Sequence, residues 1–353
     1  MILKWTENEI KNENETDGIQ EIYRVEKGEL EAKSNKNDFR NHRRLIFIPN
    51  ETNTPKKKNM RDIKFNTLYI IESLKDGELK TGYSLYEDLK LQEYVHEHVR
   101  VEYKGPNSSA EWNAVLSDIL NDCKGQEIYP IIHLEVHGEE YGIELSNGDV
   151  VSRDKVGEQL RQINIATGCN LFLTMGVCKG LYVLFNTQLD LPMPFCGAIG
   201  SFATLKAGDI QLRYAEFYET FFRTFDITKA FIQLMKVETA VSEEYKQYRY
   251  IHIDEVFYKS YMRYLNEQCN KEIMPQRALD AAAENNYILR NRSERRQFQK
   301  KFAKSEQANR TKDYIETLKT FFMLDANPEN IDRFDIPITF KELEEKCKHL
   351  VTI

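Results

Sequence analysis

The 353-residue sequence contains no apolar run approaching the length that spans a bilayer. Its opening residues, Met1-Ile-Leu-Lys-Trp-Thr-Glu-Asn-Glu9, lack the basic, apolar and small-residue order of a secretory leader. These two absences predict a cytoplasmic protein with no membrane partner. The six cysteines, at 123, 169, 178, 196, 269 and 347, form neither a CxxC pair nor a Cys/His ligand cluster, which argues against a disulfide framework and a structural zinc site. Nor is there an excess of basic charge. The formal net charge of −7 speaks against nucleic acid as a direct partner of the whole molecule, although it leaves room for a local basic patch. No heptad pattern or internal repeat is visible. What is present is ordinary globular material, 41% hydrophobic and 30% charged, in a chain long enough for one sizeable core and a smaller appended region.

Three regions follow from the patterning. Residues 1–62 are a polar N-terminal extension with short β-like pieces at Gln20 to Val25 and Arg44 to Ile48, closed by a lysine-containing connector at 50–59. Residues 63–238 alternate apolar strands with amphipathic helices, which predicts an α/β fold, a mostly parallel sheet flanked by helices. Strands are expected at Leu68 to Ile71, His98 to Tyr103, Ile128 to Gly138, Asn170 to Cys178 and Phe195 to Phe202. Between them fall a helix starting near Thr81 or Ser84, a helix capped by Ser108 with Glu111, a hairpin turning at Ser146 to Asp149, and a helix capped by Ser152. A further helix is expected from Leu181 to Phe185. Aromatics at 214, 218, 221, 222 and 225 share one helical face and read as core, followed after Asp226 by a second stripe at 227, 230, 231 and 234. Residues 239–353 read as a helical C-terminal region.

Two strands carry reactive side chains at their C-terminal ends, where open α/β sheets place their crevices. Ile128-Tyr-Pro-Ile-Ile-His-Leu-Glu-Val-His-Gly138 ends at His137, and Asn170-Leu-Phe-Leu-Thr-Met-Gly-Val-Cys-Lys-Gly180 leads to Cys178. A thiol nucleophile needs an imidazole to take its proton and backbone N–H groups to hold an oxyanion. One strand end can supply each. The flanking glycines at 138, 176 and 180 permit close backbone approach, and a helix beginning after Cys178 would favour a thiolate. Taken singly, Cys178 reads as a small buried hydrophobe and His137 as a core histidine; only the pair in this context points to catalysis. His133, inside the strand, reads as a core or supporting residue.

The His-Gly at the end of one apolar strand and the Cys-x-Gly after the next resemble the caspase-like cysteine peptidases, which include caspases, metacaspases, separase, gingipains and bacterial CHAT-domain proteases. The likeness covers about residues 65–238 and is strongest to the CHAT proteins. It implies His137 as general base, Cys178 as nucleophile and the N–H groups of Gly138 and Cys178 as oxyanion donors, with no cofactor. The strand after the cysteine shapes the substrate pocket in such enzymes, which makes Ala198, Ser201, Phe202 and Asp209 the expected substrate-binding residues. Gly176 and Val177 stand where caspases have Gln-Ala, and the metacaspase aspartate is missing, so a preference for cleaving after Arg or Lys does not carry over. CHAT proteases often serve bacterial, including antiviral, defence under the control of a sensor. The resemblance therefore implies a regulated endopeptidase with a protein substrate and an activating sensor protein. The same fold can also serve as a non-catalytic adaptor. Arg290, Arg292, Arg295, Arg296, Lys300, Lys301 and Lys304 cluster outside this region, read most simply as a solvated helix face, and hold open a nucleic-acid or acidic partner surface.

Overall fold

The computed structural model describes residues 45–47, 63–92, 99–237, 247–334, 336–337 and 339–343. The β-like piece at Gln20 to Val25, the connector at 50–59 and Cys347 lie outside them. Ten strands are described: β1 (Leu45–Phe47), β2 (Ile63–Phe65), β3 (Thr67–Ser73), β4 (Arg100–Lys104), β5 (Pro130–Glu139), β6 (Gly142–Glu144), β7 (Val150–Ser152), β8 (Phe172–Met175), β9 (Gly197–Ser201) and β10 (Tyr248–His252). The main sheet runs β10-β9-β8-β5-β3-β4. Its first five strands in chain order, β3, β4, β5, β8 and β9, are mutually parallel, and β10 closes the edge antiparallel to β9. β3 is buried along its whole length, as a strand covered on both faces must be.

The helices are α1 (Thr81–Lys90), α2 (Ser109–Gly125), α3 (Arg153–Ala166), α4 (Ala207–Thr224), α5 (Ile227–Lys236), α6 (Ile253–Gln268), α7 (Met274–Glu284), α8 (Arg292–Phe321) and the single turn α9 (Asn330–Arg333). Two of their caps, Ser108 and Ser152, are those the sequence implies, and a third is Asp226. The Ser108 and Ser152 hydroxyls accept from the N–H groups of Glu111 and Lys155, and Asp226 accepts from Lys229 N–H to start α5. α2 buries Trp112, Leu116 and Ile119, and meets α3 through a Trp112 Nε1–H bond to Gln159, 3.0 Å. α1 packs with α4, whose Tyr214, Phe217, Tyr218, Phe221 and Phe222 are all buried.

Two expectations change. The segment after Cys178 is a 3-10 helix, Gly180–Asn186, rather than an α-helix. At seven residues it offers no extended dipole to stabilise a thiolate. Beyond residue 238 the chain does not simply become helical, because β10 returns to the sheet. Its segment Tyr248-Arg-Tyr-Ile-His252 is rich in the β-forming residues Tyr and Ile, and takes its register by pairing with Gly197 to Ser201. The C-terminal helices also join the same core. Phe257 of α6 packs on Tyr314, Phe321 and Phe322, and Arg333 of α9 donates to the Gly168 carbonyl at 3.0 Å and to Asn170 Oδ1 at 2.9 Å. No helix among the described residues is long and apolar enough to cross a membrane.

Candidate active site at the ends of β5 and β8

β5 is ten residues long and β8 only four, and this inequality builds the site. The two pair in parallel from Ile131 with Phe172 to Leu134 with Met175. There β8 stops, while β5 continues and takes β6 as a new antiparallel partner, setting His137 opposite Glu144. The chain after Met175 turns over the sheet's C-terminal edge with Gly176 N–H still bound to the Leu134 carbonyl, 2.9 Å. Val177 to Gly180 then forms a tight turn closed by Gly180 N–H to the Val177 carbonyl, 3.0 Å. The left-handed residue in that turn is Lys179, at φ 54°, not a glycine.

The glycines serve close approach instead. A Cβ on Gly138 would lie 1.9 Å from the Cys178 carbonyl oxygen, and one on Gly176 would lie 2.5 Å from Glu135 Oε2. The histidine strand and the cysteine turn are therefore in backbone contact, and only glycine fits at 138. Lys179 straps the two loops from outside, its ammonium 3.3 Å from Glu139 and 3.1 Å from Glu140.

His137 is partly exposed, and its Nε2 lies 2.9 Å from both carboxylate oxygens of Glu78, in the loop between β3 and α1. The bond from His137 holds the Glu78 carboxyl below the usual carboxylate range. An ionised carboxylate can only accept, so Nε2 carries the hydrogen and Nδ1 is left as the proton-accepting nitrogen. Glu78 is in turn fixed by Lys75, whose N–H donates to Oε2 at 2.7 Å. The Lys75 ammonium pairs with Glu144 at 2.6 Å, directly across the strand from His137. Sequence reasoning missed Glu78. A glutamate in the charged stretch Lys75-Asp-Gly-Glu-Leu-Lys80 carries no pattern of its own, and only the β3–β5 pairing brings it to the histidine.

Cys178 is half-buried, and its sulfur rests on the loop after β9, accepting from Leu205 N–H at 3.3 Å. That loop touches the cysteine turn a second time through Lys179 N–H to the Ala203 carbonyl, 2.9 Å. The Cys178 N–H has no bonded partner among the described residues. Burial pushes the Cys123 and Cys169 thiols up to about 12, which leaves them inert beside Cys178. A cavity of about 30 Å³, room for one or two waters, lies beside the cysteine turn on the α3 side, with Gly138, Cys178, Tyr182, Val156 and Leu160 in its walls; His137 does not line it.

The expected substrate-binding residues are distributed differently around this point. Ala198 is fully buried in the middle of β9. Ser201 ends that strand, buried, its Oγ accepting from Ala203 N–H at 2.9 Å. Phe202 is half-buried against Tyr182, ring centres 6.1 Å apart. Asp209 is buried in a two-pronged pair with Arg213 Nε, 2.9 and 2.8 Å, so its charge is already matched from within. It is the backbone at 203 and 205, rather than these side chains, that meets the cysteine turn.

Beneath the site, His133 and Glu135 project from the same face of β5 as His137. His133 lies 2.8 Å from Thr174 Oγ1 and 3.0 Å from Glu135 Oε1, and Thr81 donates to Glu135 Oε2 at 2.9 Å. Burial raises the Glu135 carboxyl above its ordinary range, against the opposing pull of His133. No group of metal-binding side chains occurs among the described residues.

The fold and site together define an α/β protein presenting a histidine, a glutamate and a cysteine at the C-terminal edge of a mostly parallel sheet. No protein-family model matches this chain, and no curated protein matches it in sequence.

Proposed function

We propose that the chain is a regulated cysteine endopeptidase of caspase-like fold that cleaves a partner protein through Cys178 and His137. The observation that carries this reading is the backbone contact of Gly138 with Cys178, which joins the two strand ends. In the reaction, the Cys178 thiol gives its proton to His137 Nδ1 as the sulfur attacks the scissile carbonyl carbon. The resulting oxyanion is held by the backbone N–H groups of Gly138 and Cys178. His137 then protonates the leaving amine, and water, activated by the freed imidazole, hydrolyses the thioester. Glu78 keeps the ring oriented and stabilises the imidazolium.

The narrow cavity and the sulfur's contact with Leu205 fit an enzyme that a sensor must open. They also favour a second reading, a non-catalytic adaptor that uses this edge to hold a protein. A peptide-like electrophile separates the two. As an enzyme, the chain labels at Cys178; the rate falls by about two orders of magnitude or more in His137→Ala and about tenfold in Glu78→Gln. Equal labelling in wild type and His137→Ala, or binding of the native partner without its cleavage by wild type, would leave the adaptor; cleavage by Cys178→Ala would remove Cys178 as the nucleophile.

A further inference from the structure

We infer that the α7–α8 hairpin is a binding arm for single-stranded nucleic acid, separate from the strand-end site. The chain is acidic overall, yet residues 290–304 hold Arg290, Arg292, Arg295, Arg296, Lys300, Lys301 and Lys304 against a single carboxylate, Glu294. That carboxylate is already used at the start of α8, accepting from Arg290 N–H at 2.7 Å and from Asn291 Nδ2 at 2.9 Å. All seven cationic residues are exposed, and none of their side chains has an ion-pair partner among the described residues. A solvated helix face ordinarily mixes its signs, with acids four residues from bases; this one leaves one sign uncompensated.

The cations are also ordered. Arg292, Arg296, Lys300 and Lys304 recur every fourth residue, rising about 6 Å per step along α8, a spacing that suits successive phosphates of an extended strand. Lys300 and Lys304 stand three residues before Ala303 and Gln307, which line a cavity of about 360 Å³ between α6, α7 and α8. The other walls include Tyr261, Tyr264, Gln299, Arg310 and two carboxylates, Asp313 and Glu306, the latter paired with Arg277 at 3.2 Å; a carboxylate can accept from a base's exocyclic amine. Aromatic faces, a guanidinium and two amides are the groups that receive an unstacked base. At the hairpin tip, Tyr287 and Ile288 are 61% and 82% exposed, and Tyr287 leans on Phe298 of α8 with ring centres 5.7 Å apart. Phosphates along the row and a base in the adjacent cavity account for both features with one ligand. An acidic peptide would use the row alone, and a duplex could not turn a base into the cavity.

The test is fluorescence anisotropy with the full chain and a labelled single strand of about 20 nucleotides, across a salt series. Wild type binds at low salt. In Arg296→Glu/Lys300→Glu/Lys304→Glu, affinity falls at least about tenfold, and the dependence of log K on log salt becomes shallower by about 2, as expected when three phosphate contacts are lost. The substituted residues are exposed, so thermal unfolding of the variant should match wild type. Absence of binding by wild type, unchanged affinity in the folded triple variant, or more efficient displacement by polyglutamate or duplex DNA than by unlabelled single strand would each overturn the assignment.

Discussion

β5 carries two histidines, each paired with a glutamate, one glutamate on the same strand and the other in the loop after β3. At His133 and Glu135 the side chains are 0% and 3% exposed, while four residues on, His137 and Glu78 are 41% and 36% exposed. In both, an imidazole Nε2 lies within 3.0 Å of a carboxylate. The lower pair is locked in place. His133 is bonded through both ring nitrogens and set edge-on to Tyr214, ring centres 4.6 Å apart. The upper pair spends only Nε2 on its glutamate and keeps Nδ1. Burial has turned one histidine into structure, and exposure leaves the other able to exchange a proton.

The sharpest break of this comparison is at the lower pair. His133→Ala removes one partner of a buried, hydrogen-bonded pair and leaves Glu135 buried with Thr81 as its remaining side-chain donor, at a cost of about 3–5 kcal/mol. Denaturant unfolding should show that loss, whereas His137→Ala should change stability by no more than about 0.5 kcal/mol. Equal stability losses would mean that exposure does not distinguish the pairs. A smaller effect falls between them. Gly138→Ala places a methyl against the Cys178 carbonyl oxygen and forces the strand and turn apart, costing about 1–3 kcal/mol. Its electrophile labelling should fall more than its stability does, since the displaced backbone is the site itself; an unperturbed labelling rate would show that the contact is dispensable.

The asymmetry explains what was legible in the chain. Apolar runs with period two or none exposed β3, β5, β8 and β9, and serine caps exposed α2 and α3, because those signals are local. His137 and Cys178 were visible as the residues on which two such runs end. Glu78 and Leu205 were not. Each acquires its place through a partner distant in sequence, Glu78 by β3 lying beside β5 and Leu205 by a backbone N–H that no side-chain pattern encodes. β10 is a different case: its tyrosines and isoleucine are a local strand signal, and only its antiparallel pairing with β9 is non-local. Asp209 shows the converse: its carboxylate suggested a substrate pocket, but Arg213 four residues along the same helix already occupies it.

The smallest effect sharpens the comparison most, because the two glutamates have opposite linkage signs. Glu78 is depressed from its ordinary value of 4.5, by the His137 bond first. Its contribution to stability is therefore complete above that value and is lost as pH falls through the lowered one. Glu135 is raised from 4.5, by burial first, so its contribution is complete below that value and is lost as pH rises through the raised one. Thermal unfolding of wild type, Glu78→Gln and Glu135→Gln across acid to neutral pH reads both. Relative to wild type, Glu78→Gln should be slightly less stable at neutral pH, with the gap closing in acid and shrinking in high salt because the pair is exposed. Glu135→Gln should gain on wild type as pH rises and be indifferent to salt. Two gaps that move in the same direction with pH would mean that the pairs share one environment, and that the separation of a structural from a reactive histidine on β5 is mistaken.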